Sequence, residues 1–111
     1  MENCIFCKII KGEIPSTKVF EDEKLVAFLD INPKAKAHIL IVPREHIESI
    51  KNLDDGHKEL VGEMFLAAQK IAKEKNLPGY KLVINVGREG GQIVDHLHLH
   101  LLSADVSDVP V

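Results

Sequence analysis

The stretch Asp95-His96-Leu97-His98-Leu99-His100-Leu101-Leu102 alternates histidine and leucine strictly, and that alternation narrows what the chain can fold into. Side chains of an extended strand point to opposite faces in turn, so His96, His98 and His100 share one face while Leu97, Leu99 and Leu101 share the other. A helix would spread the same residues over about 400° of arc at ~100° per residue, giving neither a core face nor a site face. The segment therefore reads as a strand whose leucines face the core and whose histidines face a site. Next neighbours on one strand face lie roughly 6.5–7 Å apart. Protonated imidazoles at that spacing repel, so the face calls for an anion, a metal ion, or hydrogen bonds that keep some rings neutral.

A core large enough to carry such a strand is available. The 111 residues fit one domain, 1–111, and 45% of them are hydrophobic against 28% charged, the balance of an ordinary globular protein. The net charge of −3 gives no electrostatic case for a nucleic-acid polymer or an anionic membrane. Met1-Glu2-Asn3-Cys4 has neither the basic region nor the apolar run of a signal peptide, and no stretch approaches ~18 apolar residues, so a cytoplasmic setting is expected. In that setting Cys4 and Cys7 stay reduced, and a Cys-x-x-Cys pair suggests metal binding or redox work more than a disulfide.

The remaining pattern supplies an α+β fold: an antiparallel sheet of about five strands with one long helix and a short N-terminal helix. Ile5, Phe6, Ile9 and Ile10 recur about one turn apart before Gly12, giving the short helix. Lys18–Glu21 and Lys24–Asp30 read as strands of a hairpin turning at Asp22-Glu23, which lacks the usual glycine. His38–Val42 is a β-branched run stopped by Pro43, a central strand covered on both faces. Leu53-Asp54-Asp55 supplies caps for the long helix, with an apolar stripe of Leu60, Val61, Met64, Phe65, Ala68, Ile71 and Ala72 and an end near Lys75-Asn76. Tyr80–Val86 alternates as a strand, and Gly87–Gly91 connects it to the histidine strand. The tail from Ser103 has no clear pattern.

Two chemistries suit the histidine face. His-x-His on a strand can chelate an open catalytic zinc, although no nearby acidic cluster supplies a general base. Alternatively, a neutral imidazole attacks phosphorus while neighbouring rings and amides stabilise the phosphoryl oxygens. An ordinary pKa of ~6.5 leaves a useful neutral fraction for that role. His57, outside the pattern, reads as a surface or hydrogen-bonded structural residue.

His96-Leu97-His98-Leu99-His100-Leu101-Leu102 matches the pattern His-φ-His-φ-His-φ-φ, with φ apolar, and the chain resembles the histidine triad (HIT) superfamily, in its Hint-like branch of nucleotide hydrolases and transferases. Cys4–Ile10, Gly12–Pro15, Ala27–Pro33, His38–Pro43, Glu45-His46-Ile47 and Gly90-Gly91-Gln92 follow the family's order and spacing, so the resemblance covers nearly residues 4–102. It implies a homodimer that binds a purine nucleotide in each protomer. By motif position His98 becomes the nucleophile at the α-phosphorus, forming a transient nucleotidyl-histidine that water hydrolyses to a nucleoside monophosphate. No catalytic metal is expected in that reading. His100 and His38 line the phosphate site and orient rings or supply protons. Asn85 and Gln92 match phosphate-contacting positions, and Asp30 matches the carboxylate that accepts from the ribose hydroxyls. Ile5, Phe6, Ile9, Phe28, Ile31 and Leu40 match the purine walls, positions where plain core packing serves equally well.

The resemblance also implies a structural zinc held by Cys4, Cys7, His46 and His96, a closed tetrahedral set. Two free buried thiols are the alternative, and a redox pair lacks the surrounding βαβ pattern. Three positions depart from the family. Ile93 stands where many relatives carry serine or an acid, and it can neither donate nor accept a proton. Asp95 replaces an apolar residue, and Val109 replaces a tail tryptophan. A phosphoramidase or nucleotidyl hydrolase is thus the leading expectation, with a non-catalytic or weakly catalytic nucleotide-binding regulatory module or a dinucleoside polyphosphate hydrolase as alternatives.

Overall fold

The computed structural model describes residues 3–103; the tail expectations, including Val109, lie outside them. Two helices and five strands follow one another as α1 (Ile5–Ile10), β1 (Lys18–Glu21), β2 (Leu25–Leu29), β3 (Ala37–Pro43), α2 (Lys58–Glu74), β4 (Lys81–Val83) and β5 (Leu99–Ser103). The strands form one antiparallel sheet in the order β1-β2-β3-β5-β4. The α+β expectation is met. No helix of the described residues is long and apolar enough to cross a membrane.

Local chemistry explains each boundary. At the β1–β2 turn the missing glycine is replaced by an Asp22 carboxylate, whose Oδ1 accepts from the amides of Lys24 at 2.8 Å and Leu25 at 2.7 Å. Asp54 caps a short 3-10 turn that runs straight into α2, and His57 Nδ1 accepts from the Asp54 amide at 3.1 Å, a structural use of that histidine. Helix α2 ends where Asn76 adopts φ 56°, with the Leu77 amide reaching Ala72 O at 2.9 Å and the Asn76 amide reaching Lys73 O at 3.1 Å. Its buried stripe is Met64, Ala67, Ala68, Ile71 and Ala72, while Phe65 is 41% exposed, so the stripe is narrower than expected.

The sheet carries a different core on each side. On the α2 side, Leu97, Leu99 and Leu101 pack with Ile39, Ile41 and Met64. On the α1 side, Phe6 and Ile9 pack with Val26, Phe28, Leu40 and Val42. Strand β3 contributes to both, which accounts for its unbroken apolar run.

Two strands are shorter than expected. Ladder pairing of β5 begins at Leu99, not His96, because the Leu97 amide turns aside to Ile47 O at 2.7 Å. With the partner strand bent there, β4 pairs only over Lys81–Val83, opposite Leu102–His100, instead of Tyr80–Val86.

Candidate active site

The α1 side of the sheet opens into a cleft of about 830 Å³, a volume suited to a small organic ligand. Its floor is His98, just ahead of β5, and His100 on β5, with His38 and Leu40 from β3 beside them. One wall comes from Ile5, Phe6 and Ile9 of α1 together with Phe28; the opposite rim carries Asn85, Gly91 and Ile93. Asp30 and Ile31 line the mouth. The cleft thus joins an apolar end to a polar one.

Hydrogen bonds assign the protons on each ring. His98 Nδ1 lies 2.7 Å from the His96 carbonyl, which can only accept, so Nδ1 carries the hydrogen and Nε2 keeps its lone pair. His38 Nδ1 accepts from the Lys34 amide at 3.0 Å, leaving the hydrogen on Nε2. That Nε2–H donates to His100 Nδ1 at 2.9 Å, and the remaining hydrogen of His100 sits on its Nε2. The floor therefore pairs a nucleophilic nitrogen with a hydrogen-bond donor.

Burial keeps these rings uncharged. It pushes His98 below the ordinary histidine range, opposed by the His96 carbonyl hydrogen bond and the Asp30 charge. His100 is pushed down to about 4, mainly by burial and then by the neighbouring histidines. His38 is also lowered by burial, against the pull of the Asp30 carboxylate 3.4 Å away. A neutral face answers the repulsion foreseen for three adjacent imidazoles.

Asp30 accepts from the Asn32 amide through Oδ1 at 2.8 Å, which orients the carboxylate at the cleft mouth. Asn85 lines the cleft with its amide donated to Gly90 O at 2.8 Å. Gln92 differs from its expected phosphate-contacting place. It is 2% exposed, lies outside the cleft lining, and spends its amide on Glu48 O, Val94 O and the Gly87 amide. Gln92 thereby braces the glycine-rich loop. Asp95 does so from outside, pairing with Arg88 at 3.0 Å while Arg88 also donates to Gln92 O. The sequence reading missed Ile14, Ser16 and Lys34 as lining residues. Ser16 Oγ is buried with no hydrogen-bond partner among the described residues, a group that a ligand could satisfy.

The first histidine leaves the cleft. His96 is fully buried, and its Nε2–H donates to Pro43 O at 2.8 Å, so its Nδ1 lone pair points at Cys4 Sγ, 3.3 Å away, and Cys7 Sγ, 3.6 Å away. His46 Nδ1 lies 3.3 Å from Cys7 Sγ, and all four donor atoms are within 4.8 Å of one another. Bonds of ~2.3 Å to sulfur and ~2.0 Å to nitrogen set tetrahedral sulfur–nitrogen edges near 3.5 Å, so the cluster fits zinc. Burial, together with Cys4 beside it, pushes the Cys7 thiol up, and a bound cation would reverse that. Asp30, His38 and His100 also converge, but His38 Nε2 bears its hydrogen and has no lone pair to offer a metal.

A five-stranded sheet with an inner His-x-His-x-His segment, two of whose rings floor a cleft, defines the histidine triad class, and the chain belongs to the HIT superfamily. The family described as "Scavenger mRNA decapping enzyme C-term binding" matches residues 3–109. A 14 kDa zinc-binding protein of Zea mays is 48% identical over 101 residues, 88% of this chain and 79% of that protein. The purine nucleoside phosphoramidase of Escherichia coli strain K12 is 44% identical over 103 residues, 91% of this chain and 87% of the enzyme. Among solved structures, a HIT family hydrolase from Clostridium thermocellum superposes with a TM-score of 0.93 at 44% identity, covering 100% of this chain and 97% of that one.

Proposed function

We propose that this protein is a nucleotide hydrolase that cleaves purine nucleoside phosphoramidates through a covalent nucleotidyl-His98 intermediate. The observation that carries the reading is the His98 Nδ1 hydrogen bond to the His96 carbonyl, which leaves a neutral Nε2 lone pair aimed into the cleft. The base lies against Phe6, Ile9 and Phe28, and Asp30 accepts from the ribose hydroxyls. His98 Nε2 attacks the α-phosphorus; a phosphorus–nitrogen bond to the imidazole forms while the bond to the leaving amine breaks. The amine departs with a proton relayed from water, and His100 Nε2–H donates to a phosphoryl oxygen. Water then attacks phosphorus, releasing the nucleoside monophosphate and a proton and restoring the lone pair. The name of the Escherichia coli relative supports this activity.

The donor set of Cys4, Cys7, His46 and His96 supports a zinc site, and the maize relative's name agrees. Zinc bound there supplies cross-linking of distant segments, with no part in the reaction. The reading extends to a homodimer, suited to the open edge at the short β4, and to a cytoplasmic setting in which both thiols remain reduced.

A single turnover with adenosine 5′-phosphoramidate is expected to yield an acid-labile nucleotidyl adduct that His98→Ala cannot form. Near-normal hydrolysis by that variant would defeat the assignment. Ile93 favours a second reading: it is 82% exposed on the cleft rim and offers no proton to a leaving group, as a regulatory nucleotide-binding module would tolerate. Tight binding of a nucleoside monophosphate without turnover of phosphoramidates or dinucleotides would select it.

A further inference from the structure

We propose that Cys4, Cys7, His46 and His96 are positioning residues for the nucleotide site, so that nucleotide affinity rises and falls with occupancy of their cluster. The inference rests on the reading of the cleft as a nucleotide site. It starts from how the two sites interleave on α1. Cys4 and Cys7 point to the cluster, whereas Ile5, Phe6 and Ile9, in the same two turns, form a cleft wall. A helix of 6 residues is far too short to persist alone. Its seat is therefore what surrounds it: the apolar cluster with Phe28 and Leu40, and the two sulfur atoms against His46 and His96.

Phe6 lies between both sites, its ring centroid 5.9 Å from His96, 5.0 Å from His98 and 5.5 Å from Phe28. A shift of α1 thus moves the wall and the packing of the nucleophilic ring together. His96 makes a second link. Its imidazole faces the thiols while its own carbonyl holds His98 Nδ1–H. Thiol hydrogens bind an imidazole nitrogen only weakly. Without a cation, the His96 ring keeps only its Pro43 hydrogen bond and its packing against Phe6 and His46. The peptide that sets the His98 tautomer, still tied through the Leu97 amide to Ile47 O, then loses its link to α1 through the two sulfur atoms.

The test compares the zinc-loaded protein with the same protein stripped by a chelator. Adenosine monophosphate binding is measured by calorimetry, and backbone and imidazole nitrogens are followed by NMR. Stripping is expected to weaken binding by about tenfold or more, the share of a small ligand's affinity that one apolar wall supplies. Signals of β2, β3 and α2 should stay in place while those of residues 4–14 move and His98 loses its single Nδ1-protonated signature. Two variants separate the links. Phe6→Ala should lower affinity with zinc retained, and His46→Gln, which changes no cleft residue, should mimic stripping. Equal affinity with and without zinc overturns the inference, and so does collapse of the whole sheet on stripping, which would make the effect one of global folding. A loaded wild-type protein that binds no adenosine monophosphate defeats the nucleotide reading itself, and this inference with it.

Discussion

The two faces of the segment Leu97–Leu101, which leads into β5, are built from neighbouring residues and behave as opposites. Leu97, Leu99 and Leu101, at 0–1% exposure, are sealed beneath α2. His98, interleaved with them, is nearly as inaccessible from bulk water, and His100 is partly buried, yet both line a cleft. Burial acts on both faces, and its product differs with the side chain. On leucine it yields roughly 1.5–3 kcal/mol of stabilisation per residue. On histidine it removes charge and leaves a lone pair whose direction a hydrogen bond decides. A site can therefore be as well packed as a core and still be reactive.

Substitution on each face should separate these effects. His98→Ala is expected to lower turnover of adenosine 5′-phosphoramidate by at least about a thousandfold, measured as kcat, and to shift the urea midpoint less than a core change does. Leu99→Ala on the opposite face is expected to cost about 3 kcal/mol in urea unfolding and to leave kcat of the folded fraction close to wild type. If Leu99→Ala abolished chemistry in folded protein, the two faces would not be independent.

Acid sharpens the contrast. His100 has a folded pKa of about 4, below the ~6.5 of an unfolded chain, so between those values the unfolded state binds more protons. Stability should rise with pH through that window, be complete above about 6.5, and fall as acid is added; His100→Asn should flatten the slope. The acid limb of kcat/KM should likewise lie below the ordinary histidine range, because His98 is lowered in the same direction. The smallest effect belongs to neither face. Asp95→Ala removes an exposed ion pair with Arg88 and should change stability by less than about 0.5 kcal/mol.

Much of this was legible in the chain because it is local. The period-2 pattern of His96–Leu102 placed leucine and histidine on separate faces, and the 3.6-residue pattern located the end of α2 within two residues. Its start is delayed to Lys58 by the 3-10 turn that Asp54 caps. The doubly covered β3 could be read from Ile39-Leu40-Ile41-Val42 alone. What escaped depends on contacts distant in sequence. Gln92 matches a phosphate-contacting position by resemblance, and only the approach of Glu48 O and Gly87 turns its amide inward. The early start expected for the histidine strand failed because Ile47 O captures the Leu97 amide, a contact across the fold. Cys4 meets His96 from 92 positions away, a convergence that came from family resemblance and not from spacing.

The Lys34 amide that holds His38 Nδ1 has one more consequence. A main-chain amide cannot ionise or reverse, so it gives the linked rings a fixed polarity for as long as they stay neutral. Every residue but proline supplies the same hydrogen at position 34. The direction in which those imidazoles hand on their hydrogens is thus insulated from nearly all side-chain drift at the position that sets it.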